Sequence, residues 1–565
     1  MKKKSSKYIV LAIFIICLAT IISCKKDFGS INTNPSIVTT PDIRFLLSYS
    51  EDQIATYMGT EWVWESMEQL WRFTQHITSD PYEISNNVNT RYNAFYTSIL
   101  PNLFEIRRQI DSKSDKDNYQ KMAAVTYVLQ ILQGIKVTDM NGSIPYTQAE
   151  QGRYAGNYSP VYDTQSILFD TWLKELNDAI AVLENNSLPT QQNYGSSDIY
   201  YGSDWTKWVM LANTLKLRIA ARLENQDKSR TQSIFQEVMK DAIGPISNDA
   251  AQLSYSSVDF LPFGTSGDID YRSPRYASAS IMKFLKASND PRLPVYFEKN
   301  DLQGSFKDTL NKYSVTLPSF ININDPLIMY QGGPADWTLN PTYAAYIKNP
   351  FQVSAASKYF LISHINRKFF SPRFNGNTSG VFTDVMVTNA ESCLLVAEFI
   401  QKGYAGGVNT QGTAEDWYHK GITSSIKTMN NIAIAAGSTT GFSGDGTTEI
   451  AAYLTNPEVK FNGTNDLERI YVQEYLNLYR NPSEAFVFCR RTGYPKYSSA
   501  YYARETFNEI IPRRWWTTDP GEVNRANWSA ALQEEGFTPL AQDVETLNKE
   551  RVWYDKNAAD FGKGN

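Results

Sequence analysis

Apolar residues recur every three to four positions in two long blocks of the chain, and the rhythm fades between them. In "YDTQSILFDTWLKELNDAIAVLEN" (162–185), Ile167, Leu168, Trp172, Leu176, Ala179, Ile180 and Leu183 fall on one helical face. Asp163 stands where it would cap the first turn. "WTKWVMLANTLKLRIAARLEN" (205–225) repeats the pattern with Trp205, Trp208, Ala212, Leu215, Ile219 and Leu223, behind Ser203 or Asp204 as cap. The same reading predicts helix over 43–75 and over 117–137, where no breaker precedes Gly134. It predicts helix again over 387–407, 413–437 (with Trp417, Ile422 and Ile426) and 464–480. Helix, glycine-bearing turn and helix over 387–437 is the pattern of a tetratricopeptide repeat.

Between about 244 and 383, Pro, Gly, Asn, Ser and Tyr accumulate and helical periodicity is lost. Long loops cost little extra closure entropy and commonly carry function. The expected fold is therefore mainly all-α. Helical pairs over 42–243 and 384–565 form a tetratricopeptide-repeat-like scaffold within one domain, 42–565. The insertion at 244–383 supplies long irregular loops and minor β structure on the ligand side.

The N-terminus has a different pattern. Lys2, Lys3, Lys4 and Lys7 precede a run from Tyr8 to Ile22 that is almost wholly apolar. A spanning helix needs about 20 apolar residues. This run is shorter and sits behind positive charge, as a secretory signal does. Ile21-Ile22-Ser23-Cys24 looks like the lipobox at which bacterial lipoproteins are cleaved. On that reading residues 1–23 are removed, Cys24 carries the lipid, and 24–41 form a tether. The competing reading is a plain signal anchor with Cys24 incidental. Two or more acyl chains anchor stably where one does not.

Cleavage removes those four lysines and moves the formal charge from −5 to −9. An acidic balance without basic blocks argues against nucleic acid as partner. Of the four cysteines, Cys393 and Cys489 remain for the folded body, both in apolar surroundings that suit buried free thiols. There are 35 Tyr, many in polar loops, which favours a ligand surface because Tyr has an apolar face and a polar tip.

Catalytic patterns are missing from the sequence. His76, His364 and His419 lie far apart, and "GFSGDG" (441–446) reads as a turn, not a nucleophile elbow. No phosphate-binding glycine loop and no metal-binding histidine pair occur. The expectation is a non-enzymatic protein with no catalytic residue, metal or cofactor.

Several stretches, in order along the chain, resemble the SusD/RagB family of outer-membrane lipoproteins. They include "CKKDFGSINTNP" (24–35), "VTDMNGSIPYTQA" (137–149), "WTKWVMLANTLKLRIAARL" (205–223), "NDPRLPVYF" (289–297), "YVQEYLNLYRNPSEAFVFCRRTGYP" (471–495) and "RVWYDKN" (551–557). The resemblance implies a tetratricopeptide-repeat scaffold and a loop-built ligand face. It also implies a partner, a SusC-like TonB-dependent transporter that the protein covers as a lid. The family binds a nutrient, commonly an oligosaccharide or glycan, without cleaving it. Peptide capture by the same architecture, or a repeat-based interaction lipoprotein, are the alternatives. Lys25-Lys26-Asp27 departs from the acidic run that accompanies surface export in such bacteria. Arg490 and Arg491 read as structural, because paired arginines often lock helix ends.

A sugar site needs flat aromatics and hydroxyl-directed polar groups. Two loops offer both. Residues 78–96 contain Tyr82, Asn86, Arg91 and Tyr92, and residues 331–346 contain Trp337, Asn340 and Tyr343. "DIDYRSPRY" (268–276) is a weaker third. Trp337, in a Gly/Pro/Asp turn, is weighed equally as packing residue and as ligand platform.

Overall fold

The computed structural model describes residues 41–81, 84, 86–259, 261, 267–270, 274–341, 343, 351–354 and 357–564. Its N-terminal block contains α1 (Ile43–Thr60), α2 (Leu100–Asp111), α3 (Gln120–Asn141), α4 (Gln165–Glu184), α5 (Trp205–Leu223) and α6 (Lys228–Lys240). α3 packs on α4, α4 on α5 and α5 on α6, with α4 and α5 burying most of the apolar stripes read from the sequence. Within α4, Leu168, Trp172, Leu176, Ala179, Ile180 and Leu183 are buried, whereas Ile167, in the first turn, is 48% exposed. The cap of α4 is Thr164, not Asp163. The Asp163 carboxylate instead accepts from the N–H groups of Tyr146 (3.0 Å) and Thr147 (2.8 Å), tying down the loop after α3. Asp204 caps α5 as expected.

Two departures from simple periodicity have physical causes. α3 continues through Gly134 because the glycine lies against an indole. A Cβ there would meet Trp172 at 2.9 Å. The helix expected over 43–75 widens into a π-helix over Glu61–Leu70. The wider turn brings Glu61 and Glu65 onto one guanidinium, that of Arg91, at 3.2 and 2.6 Å.

The insertion keeps one helix of note, α7 (Ala279–Ala287). Short strands β1 (Ile77–Thr78), β2 (Leu253–Ser257), β3 (Tyr276–Ala277), β4 (Phe351–Ser354), β5 (Ser357–Tyr359) and β6 (Phe382–Val387) pair only as antiparallel couples. β2 with β6 joins the two ends of the insertion, Leu253 opposite Val387 and Ser257 opposite Phe382. β1 with β3 fastens it to the first block. The insertion also has its own apolar cluster, including Tyr276, Leu302, Phe306, Ile328, Trp337, Tyr343 and Leu361.

The C-terminal block returns to helical pairs with α8 (Asn389–Gln401), α9 (Ala414–Ala435), α10 (Asp466–Asn477) and α11 (Pro482–Thr492). α8 packs closely on α9 and on α10. Thr413 and Asp416 form a capping box at the start of α9. Cys393 and Cys489 are buried and free.

Buried arginines link the blocks. Arg218 grips Glu391 with Nε at 2.5 Å and Nη2 at 2.7 Å. Arg222 holds Asp139 through two bonds (2.8 and 2.6 Å) and also reaches Glu484 at 2.8 Å. Arg491 is bidentate on Glu398 (2.7 Å each) and touches Glu474 at 2.8 Å. Arg490 donates to the carbonyls of Arg513 (2.7 Å) and Asp139 (2.8 Å). Arg490 and Arg491 are thus internal fasteners.

Candidate ligand cleft

The loop face is assembled around a passage that demands glycine. Gly332 runs past the start of α7 so closely that a Cβ would lie 2.5 Å from Ala279 Cα. That close approach sets the chain from 320 to 343 alongside α7 and leaves an open cleft of ≈ 730 Å³ between them. Ala279, Met282, Ala287, Leu327 and Pro334 give it apolar walls. Half-buried Phe320 adds an aromatic surface, and its ring is 5.0 Å from that of Tyr343. Asn289, Gln331 and Asn340 bring neutral donors and acceptors to the rim.

The charged groups of the cleft are partly tied. The Lys286 ammonium, on the last turn of α7, donates to Asp325 and to the Tyr330 carbonyl (2.9 Å). Burial opposes ionisation of Asp325, but Lys286 and the Leu327 N–H outweigh it and hold its pKa below the ordinary value. Glu505 accepts from the Ala335 N–H through Oε2 (2.6 Å), while burial holds its pKa above the usual range. Gln75 brackets the Glu505 backbone, accepting from its N–H (3.0 Å) and donating to its carbonyl (2.8 Å). The result is a groove with fixed hydrogen-bonding groups and apolar walls, suited to a polyhydroxylated ligand with C–H faces.

The loops singled out by sequence do converge. Thr78 Oγ1 donates to the Pro334 carbonyl (2.6 Å) and accepts from Trp337 Nε1 (2.5 Å). Tyr276 lies 6.2 Å from the Trp337 ring. Their aromatic side chains, however, are spent on holding the loops together. Trp337 is 4% exposed inside the insertion's own cluster, so the platform reading yields to packing in this arrangement. Tyr343 is equally buried and donates to the Gly332 carbonyl (2.9 Å), although its edge still lines the cleft. Asn340 is exposed and lines the cleft, and its side chain accepts from the Tyr343 N–H (3.1 Å).

Arg91 is not ligand-facing. It is buried and bonded to Glu65, Ser483 Oγ (3.0 Å) and the Lys136 carbonyl (3.1 Å). Tyr92 is half-buried on the scaffold, with its ring 4.7 Å from that of Tyr96. Tyr82, Cys24 and the side chain of Asn86 lie outside the described residues. Sequence reasoning missed Phe320, Lys286, Asp325 and Glu505. Nothing periodic marks them, whereas Gln331, Gly332, Pro334, Asn340 and Tyr343 of the cleft fell within the stretch 331–346 already singled out.

The histidines are structural where they are buried. His76 sits between Thr74 Oγ1 and the Tyr475 carbonyl, each at 2.8 Å, and burial lowers its pKa to about 3. Burial likewise takes His364 down to about 4. Among the described residues no group of three or more His, Cys, Asp or Glu is arranged to hold a metal ion. No helix among them is long and apolar enough to cross a membrane.

Comparison with known proteins places this arrangement. A family profile described as "Susd and RagB outer membrane lipoprotein" matches residues 40–324, and a second, "Starch-binding associating with outer membrane", matches 316–516. No curated protein sequence matches the chain. Among solved structures, a chitin-binding protein superposes with TM-score 0.67 at 20% identity, covering 91% of this chain and 100% of that one. A chitin-binding SusD homologue from Flavobacterium johnsoniae superposes with TM-score 0.60 at 17% identity, with the same coverage. A SusD homologue from Bacteroides fragilis gives TM-score 0.63 at 20% identity, covering 91% and 99%. These likenesses establish the fold, and the profile match over half of the chain establishes the family: this chain belongs to the SusD and RagB family of outer-membrane lipoproteins.

Proposed function

We propose that the protein captures an oligosaccharide or glycan at the cell surface and passes it to a SusC-like TonB-dependent transporter, over which it closes as a lid. The cleft beside α7 carries this reading. Its volume of ≈ 730 Å³ accommodates several sugar rings. Phe320 supplies a C–H stacking surface, and Asn289, Gln331 and Asn340 face hydroxyls as both donors and acceptors. Asp325 is held by Lys286, and one Glu505 oxygen by the Ala335 N–H, so both carboxylates of the cleft are engaged by the protein itself. The chitin-binding proteins of the same fold support a saccharide as ligand class. On this reading no bond of the ligand is broken, and no cofactor or metal takes part.

Isothermal titration of the purified protein against a panel of oligosaccharides and peptides tests the proposal. Saccharide binding is expected, with the ligand recovered intact. Phe320→Ala should weaken it by about 1–2 kcal/mol, roughly five- to thirtyfold. Binding of peptides alone, or an unaltered affinity in Phe320→Ala, would overturn the assignment. The anchor has its own test. Labelled palmitate should enter the wild-type protein and be lost, with membrane retention, in Cys24→Ala; a retained Cys24→Ala protein would refute lipidation there.

A further inference from the structure

A small cavity of ≈ 30 Å³ lies where several parts of the chain meet. The start of the π-helix gives Glu61 and Trp62, and α3 gives Gln133 and Lys136. α5 gives Arg218, β6 gives Asp384, the turn before α11 gives Arg480, and the first turn of α11 gives Ser483 and Glu484. β6 is the strand that ends the insertion, so this is the seam between the ligand side and the scaffold.

Three residues that line the cavity each keep one buried atom without a hydrogen-bond partner among the described residues: Trp62 Nε1, Arg480 Nε and Asp384 Oδ1. Leaving such atoms bare is costly, because each has lost its water without gaining a partner. Among the described residues Arg480 has no carboxylate within ion-pair distance. Its two Nη groups donate to the carbonyls of Phe369 and Thr383, and its guanidinium is enclosed by the rings of Trp62, Phe369, Phe370 and Phe382 at 4.8 to 5.7 Å.

The donor and acceptor count selects the occupant. Two N–H donors and one carboxylate oxygen match a water molecule, which accepts twice and donates to the third. A cation would face two N–H groups. An anion would face the carboxylates of Asp384, Glu61 and Glu484. A buried water needs roughly 10–15 Å³ of such space and two to four polar partners, so the cavity holds one or two. We propose that this cavity is a built site for ordered water, in which one molecule accepts from Trp62 and Arg480 and donates to Asp384, and that this bridge fastens strand β6 to the scaffold.

A proton-linked consequence follows from the same geometry. The charged groups facing Asp384 are Arg480, Lys136, Arg218, Glu61 and Glu484. Burial raises its pKa to about 6, against the pull of Arg480 and Lys136. The protonated carboxyl is the form the seam prefers. Its contribution is complete below the unfolded value, and it is lost as pH rises through about 6. Deprotonation therefore loosens β6, on the side that carries the ligand loops.

A high-resolution crystal structure of the wild-type protein, with bromide and rubidium soaks, tests the site directly. The expected result is a density peak without anomalous signal, 2.7–3.2 Å from Trp62 Nε1, Arg480 Nε and Asp384 Oδ1. A dry cavity, or an anomalous ion in it, overturns the proposal. Hydrogen exchange tests the link. After correction for intrinsic rates, the β2 and β6 amides of the wild type should exchange several-fold faster at pH 7.5 than at pH 5, and Asp384→Asn should abolish that ratio. An equal ratio in both proteins would remove Asp384 from the seam. The crystallographic arm needs no variant, so a poorly folding Asp384→Asn leaves the site itself testable.

Discussion

The helical blocks and the insertion spend opposite residue types on the same task. In the blocks, cohesion between distant segments is ionic: Arg218, Arg222 and Arg491 are buried with carboxylates brought from other helices. In the insertion's own cluster, cohesion is aromatic: Trp337, Tyr276 and Tyr343 sit inside it and Lys286 with Asp325 stands on the rim, while the insertion's buried pair, Asp290 with Arg292, is turned towards Ser425 and Gln473 of the C-terminal block. Helices present regular faces on which a guanidinium fork can be fully satisfied. Loops present irregular carbonyls and gaps, which flat rings with one polar tip fill better. Fully buried rings are therefore poor guides to the ligand in this insertion, and half-buried Phe320 with the modest polar residues around the groove is a better one.

The strongest way to break this comparison is to remove an internal arginine. Arg222→Ala leaves Asp139 and part of the Glu484 carboxylate buried without their cation. A loss of about 3–5 kcal/mol is expected in urea unfolding, because an uncompensated buried charge costs that much. A loss below 1 kcal/mol would mean that the arginine links are incidental to cohesion.

The insertion should respond differently to loss of its central ring. Trp337→Ala removes a buried indole and its bond to Thr78, at about 3 kcal/mol. The change should appear as a lower melting temperature and faster exchange in 276–343, with affinity per folded molecule unaltered. Undiminished stability with lost affinity would return Trp337 to the ligand site.

That residue also marks where sequence reasoning ends. The helices were legible because their partners lie three or four positions away: the stripe of α4 and the Asp204 cap needed only local spacing. Trp337 was ambiguous because its partner Thr78 is 259 positions distant, in a loop with no periodicity. The Asp163 cap failed for the same reason, since Tyr146 and Thr147 compete for its carboxylate. Asn340 and Tyr343 reach the cleft, but Lys286 and Asp325 meet across 39 positions and carry no mark of it in their own neighbourhoods.

A smaller effect sharpens the ionic half. Glu398 takes two bonds from Arg491 and one from Lys402, while Glu474 takes one from Arg491 and keeps its other oxygen, Oε2, buried without a partner among the described residues. Burial, opposed by Arg491 and reinforced by Glu398, raises the Glu474 pKa to about 8. The native state then holds a proton that the unfolded chain releases above its ordinary value of 4.5. Stability from this group is present below that value and declines as pH rises towards 8, by at most about 1.4 kcal/mol per pH unit. Glu474→Gln should flatten the decline between pH 5 and 8 in melting experiments. A slope unchanged by the substitution would show that Glu474 is ionised in the fold.

The smallest effect belongs to the cleft. Asn340 is exposed and its side-chain bond among the described residues, to the Tyr343 N–H, is local, so its loss should move stability by no more than about 0.5 kcal/mol. If it also meets a ligand hydroxyl, Asn340→Ala should cost about 1 kcal/mol of binding, near fivefold in Kd. Trp337→Ala and Asn340→Ala then form opposite pairs: one changes stability and spares affinity, the other spares stability and changes affinity. If both variants lose affinity in proportion to stability, the insertion has no separable ligand surface, and the division of labour between its buried rings and its polar rim is wrong.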